Sequence, residues 1–255
     1  SVPTPEAPDP EPPPSTPAKV EEHLVSLLTP TSFGSEQYRA LRHRIEELHK
    51  SANLSVVAVS SPEAGDGKTI TAINLAGALA QSPEARILIV DADLRRSSMT
   101  EYLGLEDSRT KGLAGAILDS RLSLKDIVEP CPPFNLSVLQ AGKRPSSPFE
   151  LLKSPRLAQL LAEARQQYDY VVLDTPPLVP LPDCSVIGKS VDGFLVVVTA
   201  HKTHRKLLNE ALSVLDPTTV LGLVFNANDA PRASYYEYGG RSARRRRAAD
   251  RDEAL

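Results

Sequence analysis

The stretch SSPEAGDGKT, residues 60–69, decides the fold of this chain. It ends in the Gly67, Lys68 and Thr69 of a phosphate-binding loop, but Pro62 stands where such loops usually carry their first glycine. A short apolar run precedes it and an amphipathic stretch follows, so a strand, a turn and a helix are predicted in the order that such a loop needs. We therefore predict phosphate binding here rather than a glycine turn with an exposed lysine.

Further apolar runs on both sides of this loop alternate with amphipathic stretches. Near-continuous β-branched and leucine runs are typical of strands that are covered on both faces. Their alternation with helices predicts an α/β protein with a P-loop NTPase fold, in which a mostly parallel twisted sheet has helices on both faces. The predicted strands are 54–60, 86–92, 135–141, 169–175, 193–200 and 220–226, the predicted helices are 68–82, 148–167 and 203–215, and short helices are expected within 94–120 and 178–190.

Composition divides the 255 residues into three parts. Residues 1–30 are rich in proline and acidic residues and predict a disordered leader, 31–229 form the folded domain, and 230–255 form a flexible tail. The net charge of −3 argues against nucleic-acid binding, although the tail has an arginine run that suits either lipid headgroups or solvent. No apolar run approaches the ~20 residues of a membrane span, and no signal peptide is expected.

The residue types of the loop fit the chemistry of a bound phosphate. Gly65 and Gly67 let backbone N–H groups approach a ligand closely, and the helix N-terminus adds partial positive charge. The Lys68 ammonium is placed to reach the β- and γ-phosphates, and the Thr69 hydroxyl to bind Mg²⁺. The predicted nucleotide-binding residues are Ala64, Gly65, Asp66, Gly67, Lys68, Thr69 and Ile70.

Three aspartates follow predicted strands directly. Asp91 and Asp93 end the run ILIVDAD, and Asp174 ends VVLD. Ligands in open α/β sheets bind at the carboxyl ends of the strands, so we expect these acids to converge beside the loop. A lone aspartate in such a position is often a turn former or a helix cap, but three together at strand ends favour a shared site.

These motifs resemble those of the bacterial tyrosine kinases that control capsule and exopolysaccharide synthesis. The resemblance covers roughly residues 30–240 and includes four motifs in the family's order. They are Ser61-Pro62 leading to Gly65-Asp66-Gly67-Lys68-Thr69; the aliphatic-Asp-x-Asp-x-Arg of Asp91, Asp93 and Arg95; Asp174-Thr175-Pro176-Pro177; and the Glu-x-x-Arg-x-x-Arg of Glu36, Arg39 and Arg42 on a leading helix.

The resemblance implies an ATP-dependent protein-tyrosine autokinase that uses Mg²⁺. Its catalytic residues would be Lys68, Asp91, Asp93 and Arg95, with Asp91 accepting or orienting the tyrosine proton. Arg95 would either anchor its motif or contact phosphates. The metal ligands implied are Thr69, Asp93 and Asp174.

The resemblance also implies substrates and partners. Tyr235, Tyr236 and Tyr238 in the tail would be autophosphorylated in trans, although exposed linker tyrosines look the same in sequence. A homo-oligomeric ring would form through the helix flank of Glu36, Arg39 and Arg42, although the spacing alone favours a solvated charged face. A membrane activator protein of polysaccharide export and a cognate tyrosine phosphatase are the expected partners. The chain is expected in the cytoplasm, recruited to the inner face of the plasma membrane with only indirect membrane contact.

A rival interpretation is a partitioning or septum-site ATPase that acts as a nucleotide-switched assembly protein. That group resembles this chain in its loop but carries a signature lysine five positions before the loop lysine. Here Glu63 occupies that position and is followed by Ala64 rather than glycine. This departure favours the kinase.

Overall fold

A seven-stranded sheet forms the centre of the computed structural model, which describes residues 20–106 and 112–227. Each predicted strand is present, and a two-residue edge strand was not predicted. The strands are β1 Val56–Ser60, β2 Ile87–Asp91, β3 Glu129–Pro130, β4 Ser137–Leu139, β5 Tyr170–Asp174, β6 Gly193–Thr199 and β7 Val220–Asn226. Their order is β3-β4-β2-β5-β1-β6-β7, and every neighbouring pair is parallel except β3 with β4. The predicted α/β class and P-loop fold are confirmed.

Helices cover both faces of the sheet. They are α1 Val25–Leu28, α2 Phe33–Ala52, α3 Lys68–Leu79, α4 Met99–Tyr102, α5 Leu113–Leu118, α6 Leu124–Ile127, α7 Pro148–Leu152, α8 Pro155–Gln167, α9 Asp183–Ile187 and α10 Arg205–Ser213. In the described part of the chain, none of these helices combines the length and the apolar composition of a membrane span.

Two apolar cores lie on opposite faces of the sheet. The alternation of side chains along β1 divides them, because Val56 and Ala58 join one core and Val57 and Val59 join the other. The first core packs against α5 to α10, and the second against α1 to α4. Burial on both faces explains why β1 is apolar from Val56 to Val59.

The predicted disordered leader extends too far along the chain, because its last residues pack in the structure. Leu24 has no exposed surface, and α1 follows it directly. Asn74 of α3 holds this segment: its Oδ1 accepts a hydrogen bond from the Ser26 amide at 2.8 Å, and its Nδ2 donates to the His23 carbonyl at 2.9 Å. Residues 1–19 lie outside the described residues.

Two helix boundaries differ from those expected. The leading helix begins at Phe33 and is capped by Ser32, whose hydroxyl accepts from the Ser35 amide at 3.2 Å, so Ser35 is not the cap that the sequence suggested. The predicted helix 148–167 is two helices, because Ser154 caps α8 and Pro155 occupies its first position. Proline has no N–H to continue the preceding helix.

Candidate functional site

The loop between β1 and α3 lies at the carboxyl end of the sheet. It begins directly after the central strand β1, which lies between β5 and β6. Gly65 has a φ of 92° and Gly67 a φ of 90°, the left-handed region in which side chains are strained. A Cβ on Gly67 would also lie 2.0 Å from Asn226 Nδ2, so this position requires glycine.

Pro62 replaces the usual first glycine because the backbone here continues to pair instead of turning. The Ser61 carbonyl accepts a hydrogen bond from the Leu178 amide at 2.8 Å. The Pro62 carbonyl accepts from the Val179 amide at 3.1 Å. Proline fits because only its carbonyl is needed, and the turn is left to the two later glycines.

Asp66 fastens the loop to the neighbouring strands. Its Oδ1 accepts hydrogen bonds from the Thr199 and Thr203 hydroxyls, both at 2.8 Å, and its Oδ2 accepts from the Glu63 amide at 3.2 Å. Its carbonyl accepts from Asn226 Nδ2 at 3.0 Å. The buried Asp66 side chain is therefore occupied in anchoring, and it would contribute to nucleotide binding through its backbone amide.

Lys68 and the three aspartates meet at this end of the sheet. The Lys68 ammonium lies 2.9 Å from Asp93 Oδ2 and 3.4 Å from Asp174 Oδ1. The Thr69 hydroxyl donates to Asp174 Oδ2 at 2.7 Å. Asp91 and Asp174 are opposite each other in the register of β2 and β5. The sequence predicted this convergence from the strand ends alone.

Burial shapes the electrostatics of this cluster. It raises the pKa of Asp91 to about 7, and the charge of Asp174 adds to that effect. It also raises the pKa of Asp174, against the opposing influence of Lys68. Burial lowers the pKa of Lys68, but the charges of Asp174 and Asp93 outweigh it, so the pKa lies above its ordinary value and the ammonium is retained.

Asp91→Asn is expected to alter how stability depends on pH in protein free of divalent ions. The folded pKa of Asp91 is about 7 against 3.8 ordinarily, so the folded state binds a proton that the unfolded state has lost. Its contribution is therefore fully present below pH 3.8 and is lost as the pH rises to about 7. Denaturant titrations in EDTA at pH 5, 6 and 7 should show wild-type stability falling relative to Asp91→Asn, by at most about 1.4 kcal/mol per pH unit. Parallel profiles would contradict this result.

The donors of this cluster fit a magnesium ion. Three buried carboxylates face one ammonium, so their full ionisation leaves an excess of negative charge that a divalent cation offsets. The Thr69 hydroxyl and the carboxylates of Asp93 and Asp174 supply only oxygen, which Mg²⁺ prefers. These three residues are therefore the candidates to hold the ion.

Arg95 is anchored by a residue that the sequence analysis missed. Its Nε lies 3.2 Å from both carboxylate oxygens of Asp183, and its Nη2 lies 3.1 Å from Oδ2. Asp183 has no exposed surface, whereas 29% of the Arg95 side chain is exposed. Of the two roles left open for Arg95, this geometry favours the anchor. An acid after Pro182 within a predicted short helix was the only local signal.

A cleft of about 860 Å³ opens above these groups. Six of the seven predicted nucleotide-binding residues line it, and the exception is Asp66. Residues after β2 and β5 form the rest of the lining, and of these only Asp93 and Arg95 were predicted as site residues. The lining residues not predicted are Arg96, Ser97, Ser98, Glu101, Tyr102, Pro177 and Leu181.

The predicted oligomer residues lie away from this cleft, on the flank of α2. Arg39 pairs with Glu36 and donates to the Pro30 carbonyl at 2.8 Å. Arg42 donates to the Ala78 carbonyl at 3.0 Å and pairs with Glu46 at 2.6 Å. These arginines therefore have partners within the chain, and their role between chains stays a prediction. The predicted autophosphorylation residues Tyr235, Tyr236 and Tyr238 lie outside the described residues.

Relatives of known class match most of the chain. The family model described as AAA domain matches residues 54–204. The tyrosine-protein kinase YwqD of Bacillus subtilis (strain 168) is 32% identical over 225 residues, which are 88% of this chain and 93% of that protein. The tyrosine-protein kinase ptk of Acinetobacter johnsonii is 34% identical over 211 residues, which are 83% of this chain but only 28% of that longer protein.

Two solved structures resemble this chain to different degrees. The kinase domain of the Escherichia coli tyrosine kinase ETK matches with a TM-score of 0.74 and 26% identity, covering 80% of this chain and 79% of that one. A ParA family ATPase from Chlorobium tepidum TLS matches with a TM-score of 0.56 and 21% identity, covering 69% and 75%. The second match is a likeness of fold alone.

Proposed function

This chain belongs to the bacterial tyrosine-protein kinases, and from that premise we propose that it is an ATP-dependent protein-tyrosine autokinase. The observation that carries the proposal is the Lys68 ammonium at the base of a loop-lined cleft, within 2.9 Å of Asp93 and 3.4 Å of Asp174. The proposed role is regulation of capsule or exopolysaccharide synthesis and export.

The loop and Lys68 hold the triphosphate in the proposed mechanism. Backbone amides around Gly65 and Gly67 and the N-terminus of α3 donate to phosphate oxygens. The ammonium exchanges part of its contact with Asp93 and Asp174 for the β- and γ-phosphates. Because phosphoryl transfer needs positioning and charge stabilisation more than covalent chemistry, these fixed donors supply most of the catalysis.

Asp91 is the proposed acceptor of the phenol proton. Its Oδ2 accepts from the Ser97 hydroxyl at 2.7 Å, and its Oδ1 from the Asp93 amide at 3.1 Å, so the carboxyl is fixed in orientation. A pKa of about 7 matches the working range of a general base. The tyrosine oxygen forms a bond to the γ-phosphorus, the bond to the ADP oxygen breaks, and the phenol proton passes to Asp91.

Magnesium would be held by Thr69, Asp93 and Asp174, where it neutralises charge on the phosphate oxygens. The chain's own contribution is to keep these oxygens in place before the ion binds. Thr69 and Asp174 already contact each other at 2.7 Å, and Asp93 is fixed by the Arg96 amide at 3.0 Å. Arg95 keeps its motif in place through Asp183.

The tail and the helix flank complete the proposal. Tyr235, Tyr236 and Tyr238 accept phosphate from a neighbouring subunit of a ring assembled through Glu36, Arg39 and Arg42. Each phosphotyrosine adds about −1.5 to −2 charges, and the repulsion between these charges weakens the contacts between the subunits of the ring. A membrane activator of polysaccharide export recruits the chain to the inner face of the plasma membrane, and a cognate phosphatase reverses the modification.

The test is phosphotyrosine formation on the purified chain with Mg-ATP, with and without the cytoplasmic segment of an activator. The Tyr235→Phe/Tyr236→Phe/Tyr238→Phe variant should lose at least about 90% of the signal, because its acceptors are gone while its described fold is untouched. The matched control is Tyr168→Phe, which alters a tyrosine two residues before β5, at the end of the sheet opposite the candidate site. Mixing the triple variant with Lys68→Met should restore phosphate on the Lys68→Met chain if transfer occurs in trans.

ATP hydrolysis without phosphotyrosine, with and without the activator segment, would contradict the proposal. That outcome would support the partitioning-type ATPase, whose fold this chain shares.

A further inference from the structure

A second cleft adjoins the candidate site and carries exposed cations. It has a volume of about 570 Å³, and Arg96, Lys143 and Arg144 on its wall are exposed. It shares Arg95, Arg96, Ser97 and Glu101 with the larger cleft above Lys68, so the two are continuous along that wall. We call the second one the basic cleft and define it by Arg96, Lys143 and Arg144.

The basic cleft has unbalanced positive charge. Among residues 20–106 and 112–227, none of its three defining cations forms an ion pair, whereas the shared Arg95 is neutralised by Asp183. Within the part of the chain that the structure describes, Glu101 is the one acid that lines this cleft. Three positive charges against one negative charge leave a surplus that attracts anionic groups.

The backbone that carries these cations is braced. The Arg96 amide donates to Asp93 Oδ1 at 3.0 Å, which ties this end of the basic cleft to the cluster around Lys68. On the other side, the Ala114 amide donates to the Ala141 carbonyl at 3.0 Å, two residues before Lys143. The cations therefore extend from fixed backbone into a concave surface, which lowers the ordering cost of binding.

We propose that the basic cleft binds acidic residues of the tyrosine-bearing peptide substrate while the tyrosine occupies the neighbouring cleft. The inference rests on the proposed function and adds its substrate class, acidic tyrosine peptides. An extended residue spans about 3.3–3.6 Å, so acids within a few positions of the tyrosine reach an adjoining cleft. The chain's own tyrosine segment places one acid, Glu237, directly between Tyr236 and Tyr238.

The test compares two labelled peptides, Glu-Glu-Tyr-Glu-Glu and Gln-Gln-Tyr-Gln-Gln, by fluorescence anisotropy with the full chain and a non-hydrolysable Mg-ATP analogue. Wild type should bind the acidic peptide at least about 10-fold more tightly, with a preference that weakens as salt rises. The variant Arg96→Gln/Lys143→Gln/Arg144→Gln should lose this preference and bind the neutral peptide as wild type does. The matched control Lys50→Gln/Lys125→Gln/Lys189→Gln removes equal charge from other exposed sites and should keep it.

Two results would overturn the inference. One is an unchanged preference for the acidic peptide in the basic-cleft variant. The other is a loss of affinity for the nucleotide analogue in this variant that is as large as its loss of affinity for the acidic peptide, which would assign these cations to ATP.

Phosphate transfer to the same peptides separates this inference from the proposed function. Selective binding without any transfer would overturn the kinase and keep the basic cleft. Equal transfer to both peptides by wild type and variant would overturn the basic cleft and keep the kinase.

Discussion

Lys68→Met is expected to lower the initial rate of tyrosine phosphorylation by at least about 100-fold. The substitution removes the ammonium that lies between Asp93 and Asp174 and that is proposed to contact the β- and γ-phosphates. The ammonium is held between Asp93 and Asp174, and methionine fills a similar volume without charge. The rate is measured as phosphotyrosine formed at saturating Mg-ATP, beside nucleotide affinity by titration. A variant that kept more than about a tenth of the wild-type rate would contradict this role.

The same substitution disturbs the balance of buried charge, so its folding needs separate control. Without Lys68, the carboxylates of Asp93 and Asp174 lose their partner, and a buried acid without a partner is strongly destabilising. Burial raises the pKa of Asp174, so lower pH should raise the melting temperature of the variant by favouring the protonated form of this acid, which thermal melts at pH 6 and pH 8 will measure. Lys202→Met removes an exposed lysine and should alter neither the rate nor the melting temperature.

Arg95→Met is expected to lower the free energy of unfolding by about 3–5 kcal/mol. It leaves the carboxylate of Asp183 fully buried and without the guanidinium that contacts both of its oxygens. Asp183→Asn should cost less, because the partly exposed Arg95 side chain can regain water. Urea titrations of the two single variants and of Arg95→Met/Asp183→Asn give the coupling energy.

A matched control distinguishes this buried pair from an ordinary one. Arg86 also contacts its partner, Asp169, through two guanidinium nitrogens, but 59% of the Arg86 side chain is exposed. Arg86→Met should therefore shift the urea midpoint far less than Arg95→Met, because exposed pairs are screened. If the two shifts were equal, or the coupling between Arg95 and Asp183 were absent, the anchoring role would fail.

The parts of the site that lie next to strands could be predicted, because their signal is local. Asp91 and Asp174 each end a run of apolar residues, and parallel strands bring such ends together. Lys68 and Thr69 follow the loop glycines at fixed spacing. These groups needed no knowledge of distant partners, only the alternation of strands and helices.

Other parts depend on contacts that no local pattern contains. Asp183 lies 88 residues from the Arg95 that it holds, and Asp66 lies 133 residues from Thr199. Leu24 was assigned to the leader because composition averaged over 30 residues hid a short apolar segment that packs beside Asn74. Composition predicts disorder correctly only for a segment that does not pack on the surface of the folded domain.

Asp66 and Asn226 hold the main chain of residues 61–67 in its binding conformation before any ligand binds. Crystals of the free and ATP-loaded protein should therefore superimpose along that segment, with rearrangement confined to side chains such as that of Lys68. Nucleotide capture would then be a matter of docking rather than of refolding.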